Sequence, residues 1–233
     1  MTPVIGVDGC RGGWIAVRWG NSLSHHLCRR FEDVLALDAI VIAVDMPIGF
    51  PESSGRTVER EVRARLGARK SSVFSVPARA AVMCEDYRAA CSANLLASDP
   101  PRKLSKQIFH LFPKMREIYA LMTPGLQARV FEIHPELAFW AMNGETPLDH
   151  PKKTKGKSHD GGLALRCSLL SRAGFPLPEL PPDTYRRKDV GADDLLDACA
   201  AAWSARRIAE GRAIRFPADP PRDARGLRME INA

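Results

Sequence analysis

One stretch near the start of the chain decides the fold: Val4-Ile5-Gly6-Val7-Asp8-Gly9-Cys10-Arg11-Gly12-Gly13-Trp14-Ile15-Ala16-Val17. Two apolar runs flank a glycine-rich turn, which predicts two antiparallel strands joined by a hairpin. Because side chains alternate along a strand, Gly6 and Asp8 share one face of the first strand. An isolated Asp-Gly pair is more often a turn cap than a ligand. The role of Asp8 therefore depends on the rest of the chain.

The composition is that of a folded, basic protein. Its 233 residues are 45% hydrophobic and 26% charged, which suits one domain with insertions. Lys and Arg outnumber Asp and Glu by 34 to 27, and the net charge of +7 favours a phosphate-rich partner. Six cysteines without C-x-x-C spacing indicate free thiols in a reducing compartment. We expect a single cytoplasmic domain over residues 1–233 with no membrane span.

The pattern after the hairpin predicts a mixed sheet. A strand, a short helix and a second apolar strand place the fourth strand parallel to the first. Helical periodicity then predicts an insertion over about residues 50–127, between the fourth and fifth strands. The predicted elements around it are a third strand over 23–28, a helix over 31–37, strands over 39–45 and 130–134, and helices over 135–140, 163–173 and 193–210.

Carboxylates recur where these elements end. Asp45 follows four apolar residues and precedes Pro47, which places it at the carboxyl edge of a strand. Asp194 and Asp197 are three residues apart on one face of the last helix. Divalent cations such as Mg²⁺ or Mn²⁺ prefer such hard oxygen ligands, and paired ions can hydrolyse phosphate esters. The candidate catalytic acids are Asp8, Asp45, Glu132, Asp194 and Asp197, of which all but Glu132 are predicted metal ligands.

Several of these acids, and the histidines near them, also suit roles outside a metal site. Asp193 and Asp194 lie in the first turn of a helix, where acids cap the backbone and offset the dipole. Glu132 is as readily structural as catalytic, and His134 on the same face is a general base, an outer ligand or a hydrogen-bonded strand end. A zinc site using His110 and His134 is possible, but no ligand spacing supports it.

Basic side chains are the candidate substrate contacts. The loop Lys152-Lys153-Thr154-Lys155-Gly156-Lys157 and the arginine-rich insertion could bind phosphates, although charge runs are usually solvated surfaces. Aromatic residues are sparse among them, so base stacking is not predicted. We expect Lys152, Lys153, Lys155 and Arg79 to contact substrate phosphates.

Several landmarks together resemble the predicted RNase H-like nuclease family, a group of domains of unknown function. They are Val7 to Trp14, Asp45-Met46-Pro47-Ile48-Gly49, Ser72-Val73-Phe74 with Pro77-Ala78-Arg79, Glu132-Ile133-His134-Pro135-Glu136, and Asp193-Asp194-Leu195-Leu196-Asp197-Ala198. The resemblance covers nearly the whole chain.

This resemblance implies a ribonuclease H-like α/β fold, a mixed sheet flanked by helices, and a metal-dependent nuclease acting on DNA or RNA. In that superfamily the metal-binding acids come from the first strand, the fourth strand and a C-terminal helix, which Asp8, Asp45, Asp194 and Asp197 match in order. An actin-like phosphotransferase shares the opening strand and Asp-Gly turn, but a second glycine-rich phosphate loop is missing from this sequence. A catalytically degenerate nucleic-acid-binding module is the other alternative.

Overall fold

A five-stranded mixed sheet organises the molecule. The computed structural model describes residues 1–154, 157–177 and 185–233, with side chains omitted at 153, 154, 157 and 158. The strands lie in the order β3-β2-β1-β4-β5, in which the first three are antiparallel and β4 and β5 run parallel to β1. The predicted hairpin, the parallel fourth strand and the α/β class are therefore confirmed.

The bounds of the regular elements follow the sequence closely. The strands are β1 Val4–Cys10, β2 Gly13–Trp19, β3 Leu23–Cys28, β4 Val41–Val44, β5 Val130–Glu132, β6 Lys153–Thr154, β7 Lys157–Ser158, β8 Arg215–Phe216 and β9 Ile231–Asn232. The helices are α1 Phe31–Leu35, α2 Thr57–Leu66, α3 Arg79–Val82, α4 Tyr87–Leu96, α5 Lys106–Phe109, α6 Phe112–Leu121, α7 Pro135–Met142, α8 Asp160–Arg172 and α9 Ala192–Ala209. Short 3₁₀ turns cover Gly67–Ser72 and Leu126–Ala128.

Helices cover both faces of the sheet. On one face, Ile5 and Val7 pack with Phe31 of α1 and Met115 of α6. On the other face, residues of β2 pack against α7, α8 and α9. Because parallel strands are buried on both sides, β4 is apolar throughout. Helices α2 to α6 lie between β4 and β5, where the sequence pattern predicts a helical insertion.

Several elements differ from their predicted extent. Pro47 has no N–H for a strand ladder, so β4 ends at Val44. The apolar segment around Pro113 forms two helices, α5 and α6, with the proline in the first turn of α6, where it needs no hydrogen-bond donor. The expected basic loop after residue 151 contains the two short strands β6 and β7.

Among the described residues, no helix combines the length and apolar character that crossing a bilayer requires.

Close packing between β1 and α9 fixes the centre of the molecule. Gly6 faces the helix, and a Cβ atom there would lie 1.9 Å from the Ala202 nitrogen and 2.2 Å from the Ala198 carbonyl oxygen. Alanines on the helix complete this contact, since Ala198, Ala201 and Ala202 are fully buried. A side chain at Gly6 would push the helix outward. Because Gly6 has no side chain, α9 can pack directly on β1, and the beginning of the helix lies beside the end of the strand.

Candidate functional site

Asp8 and Asp45 lie side by side at the edge of the sheet. Val7 pairs with Val44 in the parallel register, so the next residues, Asp8 and Asp45, are neighbours. The Asp45 N–H donates to the Val7 carbonyl oxygen over 3.0 Å, which holds the end of β4 against β1. Both aspartates follow the alternation that directs Gly6 toward α9. The two predicted acids are thus brought together on the face that α9 covers.

The first two turns of α9 add further acids to this edge. Asp197 is 7% exposed, and its charge acts on both Asp8 and Asp45. Asp194 acts on Asp8, while its Oδ2 also accepts the Gly191 N–H over 2.8 Å as a helix cap. We name Asp8, Asp45, Asp194 and Asp197 the acid cluster. Two strands and one helix hold this cluster in place, so its backbone would lose little conformational entropy when a ligand binds.

Burial and mutual repulsion make the acid cluster hard to ionise fully. Burial, followed by the charges of Asp45, Asp197 and Asp194, raises the pKa of Asp8 well above its usual value. Burial and then Asp197 raise the pKa of Asp45 to about 8. Burial also raises the pKa of Asp197. A cation placed among these carboxyl groups would favour their charged forms, so the cluster has a strong electrostatic preference for positive charge.

One cation from the protein already lies against this cluster. The Lys152 ammonium donates to Asp197 Oδ2 in a salt bridge and is within electrostatic range of Asp8, Asp45 and Glu136. Burial alone would lower the pKa of Lys152, but Asp197 raises it above the ordinary value. Asp197 Oδ1 is buried without a hydrogen-bond partner in the described structure. Lys152 therefore neutralises part of the cluster and leaves one carboxylate oxygen unsatisfied.

Glu132 has a different environment from the acid cluster. Its two oxygens accept hydrogen bonds from Arg56 at 2.8 and 2.5 Å, and Oε2 also accepts the Ile48 N–H at 2.7 Å. Arg56 in turn binds Glu59 over 2.8 Å, and all three side chains are buried. The hydrogen-bonding capacity of Glu132 is thus directed to its structural partners. Its catalytic role stays a prediction that this geometry does not favour.

His134 lines a cavity of about 120 Å³ together with Asp8, Asp45 and Glu132. Its Nε2 is 3.3 Å from the Ser72 carbonyl oxygen, an acceptor, which requires that Nε2 carry the proton. Nδ1 then has a lone pair, and it is buried without a hydrogen-bond partner among the described residues. Burial lowers the pKa of His134 to about 4. The imidazole is therefore neutral at pH 7.

The predicted phosphate contacts are distributed unevenly. Lys152 belongs to the acid cluster's surroundings, whereas Arg79 pairs with Glu52 over 3.0 Å at the surface. Lys155 lies outside the described residues, as does the Lys153 side chain. Basic side chains that the sequence pattern did not single out line a groove of about 910 Å³ that begins beside Asp8. They are Arg11, Arg29, Lys114 and Arg187, and scattered positions in the sequence gave no signal of their proximity.

The donor set of the acid cluster suits a hard divalent cation in its chemistry. Asp8, Asp45 and Asp197 offer carboxylate oxygens, and the unpartnered Asp197 Oδ1 is a buried acceptor that a cation would satisfy. In the described ranges, however, three or more Asp, Glu, His or Cys side chains do not converge as a ready-made metal centre. Displacement of the Lys152 ammonium from Asp197 would make room for such an ion.

Comparison with protein families places this α/β protein in a defined group. Residues 6–222 match the family described as "Protein of unknown function (DUF429)", and the chain belongs to that family. The match includes β1, the insertion and α9, so it spans every element that carries the acid cluster. Neither the curated proteins nor the solved structures contain a significant match to this chain.

Proposed function

We propose that this protein is a metal-dependent nuclease that hydrolyses phosphodiester bonds on a ribonuclease H-like fold. One observation carries the proposal: Asp8, Asp45 and Asp197 come from three separate segments to one buried sheet edge, where burial and then Asp45 and Asp197 raise the pKa of Asp8, and burial and then Asp197 raise the pKa of Asp45. Groups with strongly shifted pKa values concentrate at functional sites, because such an arrangement costs stability. The order of the acids, from the first strand, the fourth strand and the C-terminal helix, supports the ribonuclease H-like assignment.

The residues have distinct roles in this mechanism. Asp8, Asp45 and Asp197 would hold Mg²⁺ or Mn²⁺, and Asp194, which also caps α9, would add to the negative field at Asp8. The bound ion would polarise the phosphate and help ionise the attacking water. Lys152, once moved from Asp197, would offer its ammonium to a phosphate oxygen. The Arg56–Glu132 pair would keep the neighbouring segment rigid rather than contact substrate.

Metal titration tests this proposal directly. Calorimetric titration of Mn²⁺ should give saturable binding to the wild type, and Asp8→Asn should abolish it. Asp38→Asn is the matched control, because the Asp38 side chain is 89% exposed in a surface ion pair with Arg18. Equal Mn²⁺ binding by the wild type and Asp8→Asn would refute the metal centre.

A cleavage screen tests the reaction. Labelled single-stranded DNA and RNA, duplexes, hybrids and branched junctions would be incubated with Mg²⁺, Mn²⁺ or EDTA. We expect metal-dependent cleavage of at least one substrate. Asp8→Asn and Asp45→Asn should lower its rate at least about 100-fold, since even outer-shell partners of metals are worth 10–100-fold.

A degenerate nucleic-acid-binding module is the second candidate. It is favoured by the position of Lys152 against Asp197 and by the lack of a ready-made three-ligand centre in the described part of the chain. Salt-sensitive binding of nucleic acid without cleavage under any metal condition would select this function over the nuclease.

A further inference from the structure

A groove lined by four cationic side chains adjoins the acid cluster. It begins at Gly9, directly after Asp8, and continues along the β1–β2 turn and the start of α6. Asp193 and Asp194 of α9 form part of its wall, so the groove and the acid cluster share the beginning of this helix. Its volume of about 910 Å³ is at the upper end of the range for small-molecule sites. A ligand in this groove would reach the acid cluster.

Three of the four cationic side chains in this groove are available to a ligand. Arg11, Arg29 and Arg187 are exposed and make no side-chain hydrogen bond or ion pair with the described residues. Arginines that have no partner and surround one groove form a potential anion-binding surface. This arrangement differs from the Arg79–Glu52 and Arg18–Asp38 pairs elsewhere on the surface, in which the positive charge is already balanced.

Lys114 connects the groove to the hairpin. Its ammonium donates to the Gly13 carbonyl oxygen and lies 4.4 Å from the centre of the Trp14 ring. Its aliphatic chain passes over Gly9, where an added Cβ would lie 2.9 Å from the lysine Cδ. The insertion thus supplies a positioned cation beside the residue that follows Asp8.

Four acids share the groove with these cations. Glu117 uses one oxygen for the Trp14 indole N–H, at 3.0 Å, and the other for the Phe31 N–H, at 2.5 Å. Asp189 also lines the groove, and Asp193 and Asp194 lie at its end near the acid cluster. The three arginines and the candidate metal ligand Asp194 therefore line the same groove.

The backbone of the turn is poorly suited to holding the phosphates of a nucleotide. The Gly12 N–H donates to the Asp189 carbonyl oxygen over 2.9 Å, so this donor is already used. Gly13 is required for close packing, because a Cβ there would lie 2.2 Å from the Cys28 carbonyl oxygen. A nucleotide-binding loop instead directs several free backbone N–H groups at the phosphates. Recognition here would come from separated side chains, which suits an extended polyanion.

We propose that this groove binds the sugar–phosphate backbone of a nucleic-acid strand next to the bond that is cleaved, without reading its sequence. Arg11, Arg29 and Arg187 contact successive phosphates, and Lys114 contacts the phosphate nearest Asp8. No Phe, Tyr or Trp side chain is among the described residues that line the groove, so bases have no aromatic platform there. This inference deepens the proposed nuclease function and rests on it.

Salt-dependent binding tests the groove separately from catalysis. Fluorescence anisotropy in EDTA would measure the affinity of the full-length protein for labelled oligothymidylate and for mixed-sequence DNA and RNA of the same length. Each lost phosphate contact should reduce the slope of log affinity against log salt by about 0.7 for a single strand. Arg11→Ala, Arg29→Ala and Arg187→Ala should each show this reduction, and the triple variant should show about three times as much.

Arg88→Ala is the matched control, because Arg88 is also exposed and lies outside the lining of the groove. It should leave the salt slope unchanged. Unfolding curves of all variants would establish that the exposed arginines are dispensable for folding. Similar affinities for the three labelled sequences would support recognition of the backbone.

The outcomes separate this inference from the proposed function. If the wild type cleaves nucleic acid but the three arginine variants keep its salt slope, the groove assignment is wrong and the nuclease stands. If the slopes fall as expected but no metal supports cleavage, the groove assignment stands and the nuclease is wrong. Saturable ATP binding that depends on Arg11 and Arg29, without oligonucleotide binding, would overturn both in favour of a phosphotransferase.

Discussion

Glu132 at the end of β5 and Asp197 in the second turn of α9 are both buried carboxylates, yet their environments are opposite. Glu132 accepts three hydrogen bonds, from Nη1 and Nη2 of Arg56 and from the Ile48 N–H. Asp197 has Lys152 at one oxygen and no partner at the other within the described structure. A satisfied buried acid stabilises a fold, whereas an unsatisfied one retains a demand for a cation. The comparison separates an acid whose oxygens are both bonded from one with an unsatisfied oxygen, a difference that burial alone does not show.

Removing the partner of Glu132 should have the largest effect. Arg56→Met leaves both Glu132 and Glu59 buried without their cation, and we expect a loss of about 3–5 kcal/mol in the free energy of unfolding. Urea denaturation would measure it, with Arg88→Met as the exposed control. Because Glu132 is not predicted to bind metal in this comparison, Mn²⁺ should not restore the loss. Recovery with Mn²⁺ would show that Glu132 belongs to the metal centre.

Removing the partner of Asp197 should have a smaller and reversible effect. Lys152 is partly exposed, and Lys152→Met should destabilise the metal-free protein by about 1–3 kcal/mol. Mn²⁺ should restore most of this stability, because a bound cation replaces the ammonium beside Asp197. Denaturation with Mn²⁺ and with EDTA checks this expectation. Equal destabilisation in both conditions would mean that Lys152 and metal do not share a position.

Moving α9 should affect Asp197 without disturbing Glu132. Gly6→Ala places a Cβ against the helix backbone, and we expect a destabilisation of about 1–3 kcal/mol with weaker Mn²⁺ binding. Gly125→Ala is the control, because φ there is −68° and the nearest atom to an added Cβ is 3.8 Å away. Unchanged Mn²⁺ affinity in Gly6→Ala would show that the helix position does not set the metal site.

The pH dependence of the free energy of unfolding should report the acid cluster, with the smallest change per measured step, one pH unit. The pKa of Asp45 is raised to about 8 from 3.8, so the folded state binds more protons than the unfolded state between about pH 4 and 8. Stability of the metal-free protein should therefore fall as pH rises through this window, by at most about 1.4 kcal/mol per pH unit for this group. Denaturation of the wild type and Asp45→Asn across that range would measure it. A wild-type slope that persists in Asp45→Asn would assign the effect to other groups.

Much of the fold could be predicted because its signals are local. The glycine turn specifies the hairpin, and the apolar run from Val41 to Val44 specifies a strand that is buried on both faces. Residues Asp8 and Asp45 could be placed together because parallel strands expose their carboxyl ends at one edge. Short-range patterns therefore account for the sheet and for half of the acid cluster.

The partners of the acids could not be predicted in the same way. Glu132 and Asp45 follow apolar strands in similar fashion, but the cation that satisfies Glu132 lies 76 residues earlier in the sequence. Lys152 belongs to a basic run that is typical of a solvated surface, yet its ammonium contacts a buried acid. Such pairings depend on tertiary packing, which spacing along one sequence does not encode. The distinction between a paired and an unpaired acid required the structure.

The packing of β1 against α9 also determines when the site can exist during synthesis. Contacts between the sheet and α9 join residues far apart in the chain, and the hydrogen bond from Arg206 to the carbonyl oxygen of Trp19 in β2 spans 187 residues. A nascent chain can pair its first strands early, but it lacks Asp194 and Asp197 until α9 has been synthesised. We therefore expect incomplete chains to carry the sheet without a competent acid cluster, so any hydrolytic activity would be confined to molecules whose synthesis has passed α9.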